Sequence, residues 1–308
     1  MKGFLGCIIV ILILGVGISY AASSYLYGKM NYEEIETLAK EPFKEKGVEN
    51  ILLIGNDSRS QGTDGRSDAM ILISINHKTE KIYMTSILRD IYVEIPGHEG
   101  NRLNAAYSYG GPELLINTLK ENFGIKVSRY MLVNFQSFAK MVDAVGGIDL
   151  EVTNEEVQYI NGYLVEYNQL EGRAEGTDYL DSSISGMIHL NGPQALAYCR
   201  NRYIGSDFGR TERQRKVLTA IFNKAPSAIL KNTDQVVDSM LSNVTTNLKK
   251  SEVNGLVLKA PIMLGYELVQ GRIPLEGTYS NEKIRGMAVL KVDFEVNKEY
   301  IEKEIYGK

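Results

Sequence analysis

Cysteine and histidine are both scarce in this sequence. Its 308 residues include two cysteines, Cys7 and Cys199, and three scattered histidines. Cys7 lies in an apolar run near the N-terminus and Cys199 lies far along the chain, so we expect no disulfide framework. The same scarcity argues against a zinc site and against a cysteine–histidine nucleophile pair. His189 could act in catalysis, although a lone histidine on an apolar face is more often a hydrogen-bonded structural residue.

The chain also lacks an excess of positive charge, low-complexity segments and any convincing repeat. Its formal net charge is -4 at pH 7. Proteins that bind nucleic acid nonspecifically usually carry net positive charge, so we expect no nucleic-acid partner. Hydrophobic residues make up 44% of the chain and charged residues 23%, as in an ordinary globular protein.

One long uncharged stretch, FLGCIIVILILGVGISYAA, occupies residues 4–22. As a helix it would span roughly 28 Å, close to the bilayer hydrocarbon thickness of about 30 Å. Lys2 precedes it and the acidic NYEEIE follows it, which favours a cytoplasmic N-terminus. We therefore predict a signal-anchor transmembrane helix, with a cleaved signal peptide or a buried core helix as alternatives.

This prediction gives the chain a simple organisation. A cytoplasmic tail (1–3) would lead into the anchor (4–22), a juxtamembrane stalk (23–49) and an extracytoplasmic domain (50–308). Under either membrane-targeting interpretation, the remaining chain would work outside the cytoplasm.

Downstream of residue 49 the pattern alternates between strands and helices. The predicted elements are strands at 50–57, 68–76 and 81–87, a helix at 112–125, a strand at 129–134, a helix at 135–147 and a strand at 148–152. This alternation predicts a layered α/β/α domain with a central mixed sheet. The polar stretch 153–186 should form a long loop or lid. A short helix at 191–200, an amphipathic helix after Gly209 and further helices, strands and a closing helix should follow.

Charged residues cluster after the first predicted strand, in GNDSRSQGTDGRSDAM. Open α/β folds place ligands at strand ends. Asp57 and Asp68 could hold Mg²⁺ there, and the ion would bridge phosphate oxygens. Alternatively, Asp57 forms an Asx turn and Asp68 pairs with Arg66 on the surface.

The SILRD sequence places Arg89 and Asp90 after the return strand of the predicted hairpin. Arg89 could neutralise charge but could not act as a base, because a guanidinium group stays protonated. Asp90 could accept a proton. If the return strand lay beside the first strand, Arg89 would emerge near Asp57. The alternative is a salt bridge at the rim of the sheet.

Six cations crowd into YCRNRYIGSDFGRTERQRK, residues 198–216. Arginine donates forked hydrogen bonds to phosphate or carboxylate, so several arginines together suit a pyrophosphate. Helical spacing puts Arg210, Arg213 and Gln214 on one face, with Arg213 and Gln214 at the edge of the apolar stripe. Extended spacing puts Arg200 and Arg202 on one side of their segment. This arrangement favours anion binding, with a simply solvated face as the alternative. Asp207 could supply another carboxylate or pair with one arginine. Arg213 could be structural, whereas Arg215 and Lys216 should face solvent.

Taken in order, these motifs resemble the LytR–CpsA–Psr family of bacterial envelope proteins. The matching segments cover roughly residues 50–225 and are GNDSR, GRSDAMILI, SILRDIYVEIPG, RLNAAYSYGGPELL, VNFQSFAKMVDAVGGIDLEV, HLNGPQALAYCRNR and SDFGRTERQRKVL. The resemblance implies a phosphotransferase that moves a glycopolymer from a polyprenyl-pyrophosphate carrier to a wall acceptor, typically peptidoglycan. A non-catalytic envelope regulator that binds lipid-linked precursors and a pyrophosphatase are the alternatives.

The resemblance also implies roles for individual residues. Asp57 and Asp68 match the family's acids associated with Mg²⁺, or with another divalent cation such as Mn²⁺. Arg89 matches the arginine of the family's S-x-x-R-D motif, and Asp90 is the candidate general base. The implied pyrophosphate-binding set is Arg102, Arg200, Arg202, Asp207, Arg210 and Gln214. Arg102 stands where the family often has lysine, so its charge is kept but its geometry differs. The family further implies an apolar tunnel for the polyprenyl tail.

Overall fold

The computed structural model describes residues 20–56, 65–242, 244–263 and 265–307. Residues 4–19 of the predicted anchor and the candidate metal ligand Asp57 lie outside the described residues. Within those ranges, no helix has both the length and the apolar character needed to cross a membrane.

The chain forms two compact units, which we call the helical unit and the sheet unit. Among the described residues, the helical unit comprises 20–29, 135–242 and 256–263, and the sheet unit comprises 30–56, 65–134, 244–255 and 265–307.

The strands are numbered in chain order. They are β1 (Asn31–Tyr32), β2 (Lys44–Glu45), β3 (Val48–Asn56), β4 (Ser67–Asn76), β5 (Lys81–Ile87), β6 (Tyr92–Val93), β7 (Asn101–Arg102), β8 (Arg129–Asn134), β9 (Ile148–Val152), β10 (Gly186–Leu190), β11 (Val244–Thr246), β12 (Glu267–Ile273), β13 (Tyr279–Ile284) and β14 (Met287–Val292).

The helices alternate with these strands. They are α1 (Tyr20–Lys29), α2 (Glu36–Ala39), α3 (Leu103–Phe123), α4 (Phe135–Ala144), α5 (Asn154–Leu170), α6 (Gly192–Arg200), α7 (Ser206–Lys231), α8 (Thr233–Leu241), α9 (Lys250–Met263) and α10 (Phe294–Tyr300), which continues into a π-helix (Ile301–Ile305).

An eight-stranded mixed sheet forms the core of the sheet unit. Its order is β1-β11-β8-β3-β4-β5-β12, with β2 added beside β3. The pairs β3–β8 and β5–β12 are parallel, whereas β3–β4 and β4–β5 are antiparallel. The central strands are continuous apolar runs because both of their faces are buried. The predicted α/β fold with a central mixed sheet is therefore confirmed.

The predicted hairpin is confirmed, because β5 pairs antiparallel with β4. The return strand β5 does not pair with the first strand β3. The condition under which Arg89 would emerge near Asp57 is therefore not met. Two consecutive antiparallel connections instead form a meander, and this places the end of β5 beside the start of β4.

Helix α3 begins nine residues before the predicted start at Pro112, at Leu103. Its first half packs into the core, with Leu103 and Tyr107 fully buried. Gly110 and Gly111 interrupt the helix, and Gly111 has a φ of 61°. Pro112 then restarts it, since proline is well tolerated in a first helical turn. Gly124 ends it as predicted, in the left-handed conformation with a φ of 65°.

Residues 31–49, which fall within the predicted stalk, are part of the sheet unit. Strand β1 pairs with β11. Arg129 is 1% exposed and its Nη2 lies 2.7 Å from Oε1 of Glu252. The same guanidinium donates hydrogen bonds to the carbonyl oxygens of Leu38 at 2.9 Å and Glu41 at 3.2 Å. These contacts tie the segment that follows β1 to the start of β8.

The helical unit contains the antiparallel pair β9–β10 and the helices from α4 to α8. The prediction of an irregular loop at 153–186 is wrong for its first half, which forms α5. Thr153 caps this helix in a reciprocal capping box with Glu156. The buried stripe is narrow and mixes apolar with polar side chains, which explains why the segment looks like a loop in the sequence. Helix α7 begins at Ser206, earlier than expected.

Candidate functional site

An acid–arginine cluster lies in the sheet unit where β4 begins and β5 ends. Ile71 of β4 pairs with Ser86 of β5, and continuing this register by three residues brings Asp68 opposite Arg89. The Nη1 of Arg89 donates a hydrogen bond to Oδ1 of Asp68. Asp68 is 7% exposed. Asp68 therefore forms an ion pair with Arg89, whose side chain is 12% exposed.

Two further charged residues extend this cluster. Arg89 Nε lies 3.8 Å from Oδ2 of Asp90, and Arg102 Nε lies 3.6 Å from Oδ1 of the same carboxylate. Arg102 also donates to the carbonyl oxygen of Ala288 at 3.0 Å and 2.8 Å. Acids and guanidinium groups thus alternate from Asp68 to Arg102, and the Asp90 carboxylate lies between two cations.

Backbone hydrogen bonds fix this cluster to the fold. The amide of Asn104 donates to the carbonyl of Arg89 at 3.2 Å, and Leu103 donates to Ile91 at 2.8 Å. Strands β6 and β7 pair antiparallel, with Tyr92 opposite Arg102. The start of α3 is therefore joined to the segment that carries Arg89, so both arginines project from ordered backbone.

The donor atoms near Asp68 are oxygens of the kind that Mg²⁺ prefers. Asn56, the buried last residue of β3, pairs with Ser67, which directly precedes Asp68. In the part of the chain that is described, no three histidine, cysteine, aspartate or glutamate side chains converge as a metal site. The residue types thus fit a hard cation, and the Mg²⁺ site with Asp57 and Asp68 stays a prediction.

In the helical unit, two arginines of residues 198–216, which we call the basic segment, form ion pairs with carboxylates. Arg210 is buried, and its Nη2 lies 2.8 Å from Oδ1 of Asp207. Arg213 is buried too, with Nη1 3.2 Å from Oε1 of Glu156 and Nη2 2.9 Å from the carbonyl oxygen of Asn201. Arg213 is therefore structural, in agreement with its predicted place at the edge of the apolar stripe.

Arg200, the last residue of α6, has a different environment. Its guanidinium carbon lies 4.3 Å from the ring centroid of Phe135 and 5.3 Å from that of Tyr163. The hydroxyl of Tyr159 donates to the carbonyl oxygen of Arg200 at 3.2 Å. Aromatic side chains from α4 and α5 therefore surround this cation.

The remaining candidates of the basic segment lie at the surface of the helical unit. Arg202 is exposed and Gln214 is half-buried. Lys216 is exposed as predicted and pairs with Glu212 at 2.9 Å, a contact that lowers the pKa of Glu212. Arg215 is half-buried, so the prediction that it is simply solvated is only partly right.

The sequence prediction missed Glu156, Tyr159, Tyr163 and Phe135. A signal was present: Thr153 and Glu156 form the T-x-x-E pattern of a capping box. Had α5 been predicted, the spacing of Tyr159 and Tyr163 would have placed both rings on one helix face. Burial raises the pKa of both phenols, so each hydroxyl stays protonated at neutral pH.

His189 lies on β10. Its Nδ1 is 2.8 Å from Oδ1 of Asp149, the residue directly opposite on β9. Lys224 contacts the second carboxylate oxygen at 2.5 Å, and the hydrogen bonds from Lys224 and His189 lower the pKa of Asp149. His189 is therefore hydrogen-bonded to a neighbouring strand, as the structural interpretation predicts.

The LytR–CpsA–Psr family model matches residues 18–304 of this sequence. The chain belongs to this cell-envelope family. The polyisoprenyl-teichoic acid–peptidoglycan teichoic acid transferase TagU of Oceanobacillus iheyensis is 38% identical over 224 residues. The aligned region covers 70% of this chain and 63% of that relative.

Two solved structures of family members share the fold. The structure of TagT bound to LI-WTA is 27% identical with a TM-score of 0.65, and the match covers 89% of this chain and 94% of that chain. YwtF (TagT) with bound octaprenyl pyrophosphate lipid is 25% identical with a TM-score of 0.62, covering 85% and 92% of the two chains. The family resemblance stated from the sequence is confirmed.

Proposed function

We propose that this chain is a phosphotransferase that moves a teichoic-acid-type glycopolymer from a polyprenyl-pyrophosphate carrier to peptidoglycan. The observation that carries the proposal is the alternation of acids and arginines from Asp68 through Arg89 and Asp90 to Arg102, in a chain of this family. The name of the TagU relative and the lipid bound by TagT support the choice of donor and acceptor.

In the proposed reaction, an acceptor sugar hydroxyl attacks the phosphorus that carries the glycan. A new phosphorus–oxygen bond forms, and the bond from that phosphorus to the bridging oxygen breaks. Polyprenyl phosphate leaves with the bonding electron pair, so the product is a phosphodiester. Asp90 orients the hydroxyl and accepts its proton, while Arg89 and Arg102 stabilise negative charge in the transition state. Phosphoryl transfer depends mainly on such positioning and charge stabilisation.

The pyrophosphate contacts come from residues that donate to phosphate without being bases. The proposed set is Arg102, Arg200, Arg202, Arg210 and Gln214, with Asp207 orienting Arg210 through their ion pair. Asp57 and Asp68 would hold Mg²⁺ or Mn²⁺. A bound ion would neutralise pyrophosphate oxygens.

The proposed location follows from the same substrates. Residues 4–22 would anchor the chain in the bacterial cell membrane with its N-terminus in the cytoplasm. The enzyme would then act outside the membrane, where the lipid carrier and the wall acceptor meet.

The test is a transfer assay with the full-length protein. A short polyprenyl-pyrophosphate-linked oligosaccharide and a peptidoglycan oligomer would be incubated with Mg²⁺, and the products followed by mass spectrometry. A linked product supports the transferase. Free phosphosugar would identify a pyrophosphatase, and donor binding without either product would identify a non-catalytic binder. Arg89→Ala is the inactive control, with its folding checked by circular dichroism.

A further inference from the structure

Three arginines of the basic segment differ in what balances their charge. Arg210 and Arg213 each lie against a carboxylate, from Asp207 and Glu156 respectively. Within the described residues, Arg200 has no carboxylate at ion-pair distance, although its side chain is half-buried. The faces of aromatic rings take the place of an acid at this position.

The rings come from helices that converge on the end of α6. Phe135 is the first residue of α4 and Tyr163 lies in the middle of α5. The guanidinium carbon of Arg200 lies over both rings, at 4.3 Å from Phe135 and 5.3 Å from Tyr163. We call these two rings the aromatic clamp. Tyr159, one turn before Tyr163, fixes the backbone by donating to the carbonyl oxygen of Arg200 at 3.2 Å.

This arrangement has a specific electrostatic consequence. A ring face attracts a cation through its quadrupole without cancelling the net charge. A ring face carries no oxygen to accept the N–H donors of the guanidinium, so these donors stay available to an anion. A carboxylate at ion-pair distance would instead occupy some of them. The clamp therefore orders the Arg200 side chain while preserving both its charge and its forked donors.

We propose that Phe135 and Tyr163 are positioning residues that hold Arg200 ready to bind the pyrophosphate of the lipid donor. The proposal rests on the proposed function, because it takes Arg200 as a pyrophosphate contact. Neither ring needs to touch the reacting atoms. Pre-ordering the arginine lowers the entropic cost of immobilising a long side chain when the ligand binds.

The experiment measures binding of geranylgeranyl pyrophosphate to the full-length protein in detergent, by titration calorimetry. Tyr163→Leu and Phe135→Leu should each weaken binding by about fivefold to tenfold, given the strength of a partly buried cation–π contact. Tyr163→Phe keeps the ring face and should bind like the wild type. Tyr167→Leu is the matched control and should bind like the wild type. Tyr167 lies one turn further along α5 and stacks on Tyr163, but its cation contact is with Arg173.

The variants also separate failure of this inference from failure of the proposed function. If Arg200→Ala binds the ligand as tightly as the wild type, Arg200 is not a pyrophosphate contact and its proposed role is refuted. If Arg200→Ala weakens binding while Tyr163→Leu and Phe135→Leu do not, only the clamp is refuted. An equal loss in Tyr163→Phe and Tyr163→Leu would also refute it, since the hydroxyl and not the ring face would then matter.

A double substitution tests whether Tyr163→Leu weakens binding through Arg200 or by disturbing the protein in another way. If Tyr163 acts through Arg200, adding Tyr163→Leu to Arg200→Ala should weaken binding no further, because the two effects share one contact. An additional fivefold loss in the double variant would mean that Tyr163→Leu disturbs the protein in another way, and would overturn the proposal. Thermal unfolding of each variant shows whether the fold is retained.

Discussion

The ion pair between Arg213 and Glu156 leads to a quantitative prediction about stability. Arg213 is 5% exposed and Glu156 is 8% exposed. Replacing Arg213 by methionine keeps an unbranched side chain but leaves the Glu156 carboxylate buried without its cation. Breaking a buried ion pair in this way typically costs about 3–5 kcal/mol. Arg213→Met should therefore lower the free energy of unfolding by that amount.

Urea unfolding followed by far-ultraviolet circular dichroism measures this loss. With a denaturant slope of about 3 kcal/mol per M, the unfolding midpoint should fall by about 1–2 M. Lys216→Met is the matched control on the same helix, because Lys216 forms only an exposed pair with Glu212. Its midpoint should change by less than about 0.3 M, since an exposed pair contributes at most about 1 kcal/mol.

A double variant tests the cause of the loss. Glu156→Gln removes the buried charge and still suits a capping box. Combined with Arg213→Met, it should recover about 2 kcal/mol relative to Arg213→Met alone, because neither variant side chain is charged. A wild-type midpoint for Arg213→Met would refute the assignment of Arg213 to structure. No recovery in the double variant would refute the electrostatic cause.

Three further predictions concern the acid–arginine cluster, the metal and alkaline pH. Arg89→Lys keeps the charge but loses the forked donors, so transfer should fall at least about tenfold in the mass-spectrometric assay with little change in the unfolding midpoint. EDTA should abolish transfer and added Mg²⁺ or Mn²⁺ should restore it, whereas full activity in EDTA would refute the metal role of Asp57 and Asp68. Burial raises the pKa of Tyr306 from 10.0 to about 12. Its contribution to stability is complete below pH 10 and is lost as the pH rises through 12, by roughly 2–3 kcal/mol. Urea unfolding of Tyr306→Phe should show a correspondingly smaller alkaline loss than the wild type, and equal losses would contradict this assignment.

The strands were the most predictable part of the fold. The predicted bounds of β5, β8 and β9 agree with the structure, and those of β3 and β4 differ by at most two residues. Their apolar runs are unambiguous because both faces of a central strand are buried. Gly124 marks the end of α3, and Pro193 marks the first turn of α6. Both boundaries could be recognised from the neighbouring sequence alone.

Helix α5 was not predicted, because much of what stabilises it is distant in the sequence. Its apolar stripe consists mainly of Val157, Ile160 and Leu164, too few for a clear amphipathic pattern. The stripe is extended by Glu156, whose burial depends on Arg213 in another helix. A polar residue that is buried only because of a distant partner looks like a surface residue when the sequence is read locally.

The same distinction explains how the basic segment divides. The Arg210–Asp207 pair spans three residues of one helix, so spacing alone could suggest it. The partners of Arg213 and Arg200 come from α5 and α4, and no local pattern indicates whether a distant partner is an acid or an aromatic ring. That difference matters for function, because Glu156 and two backbone carbonyls take the donors of Arg213, whereas ring faces leave those of Arg200 for a ligand. Arg213 and Arg200 therefore look alike in the sequence, but Arg213 is structural and Arg200 is a candidate ligand-binding residue.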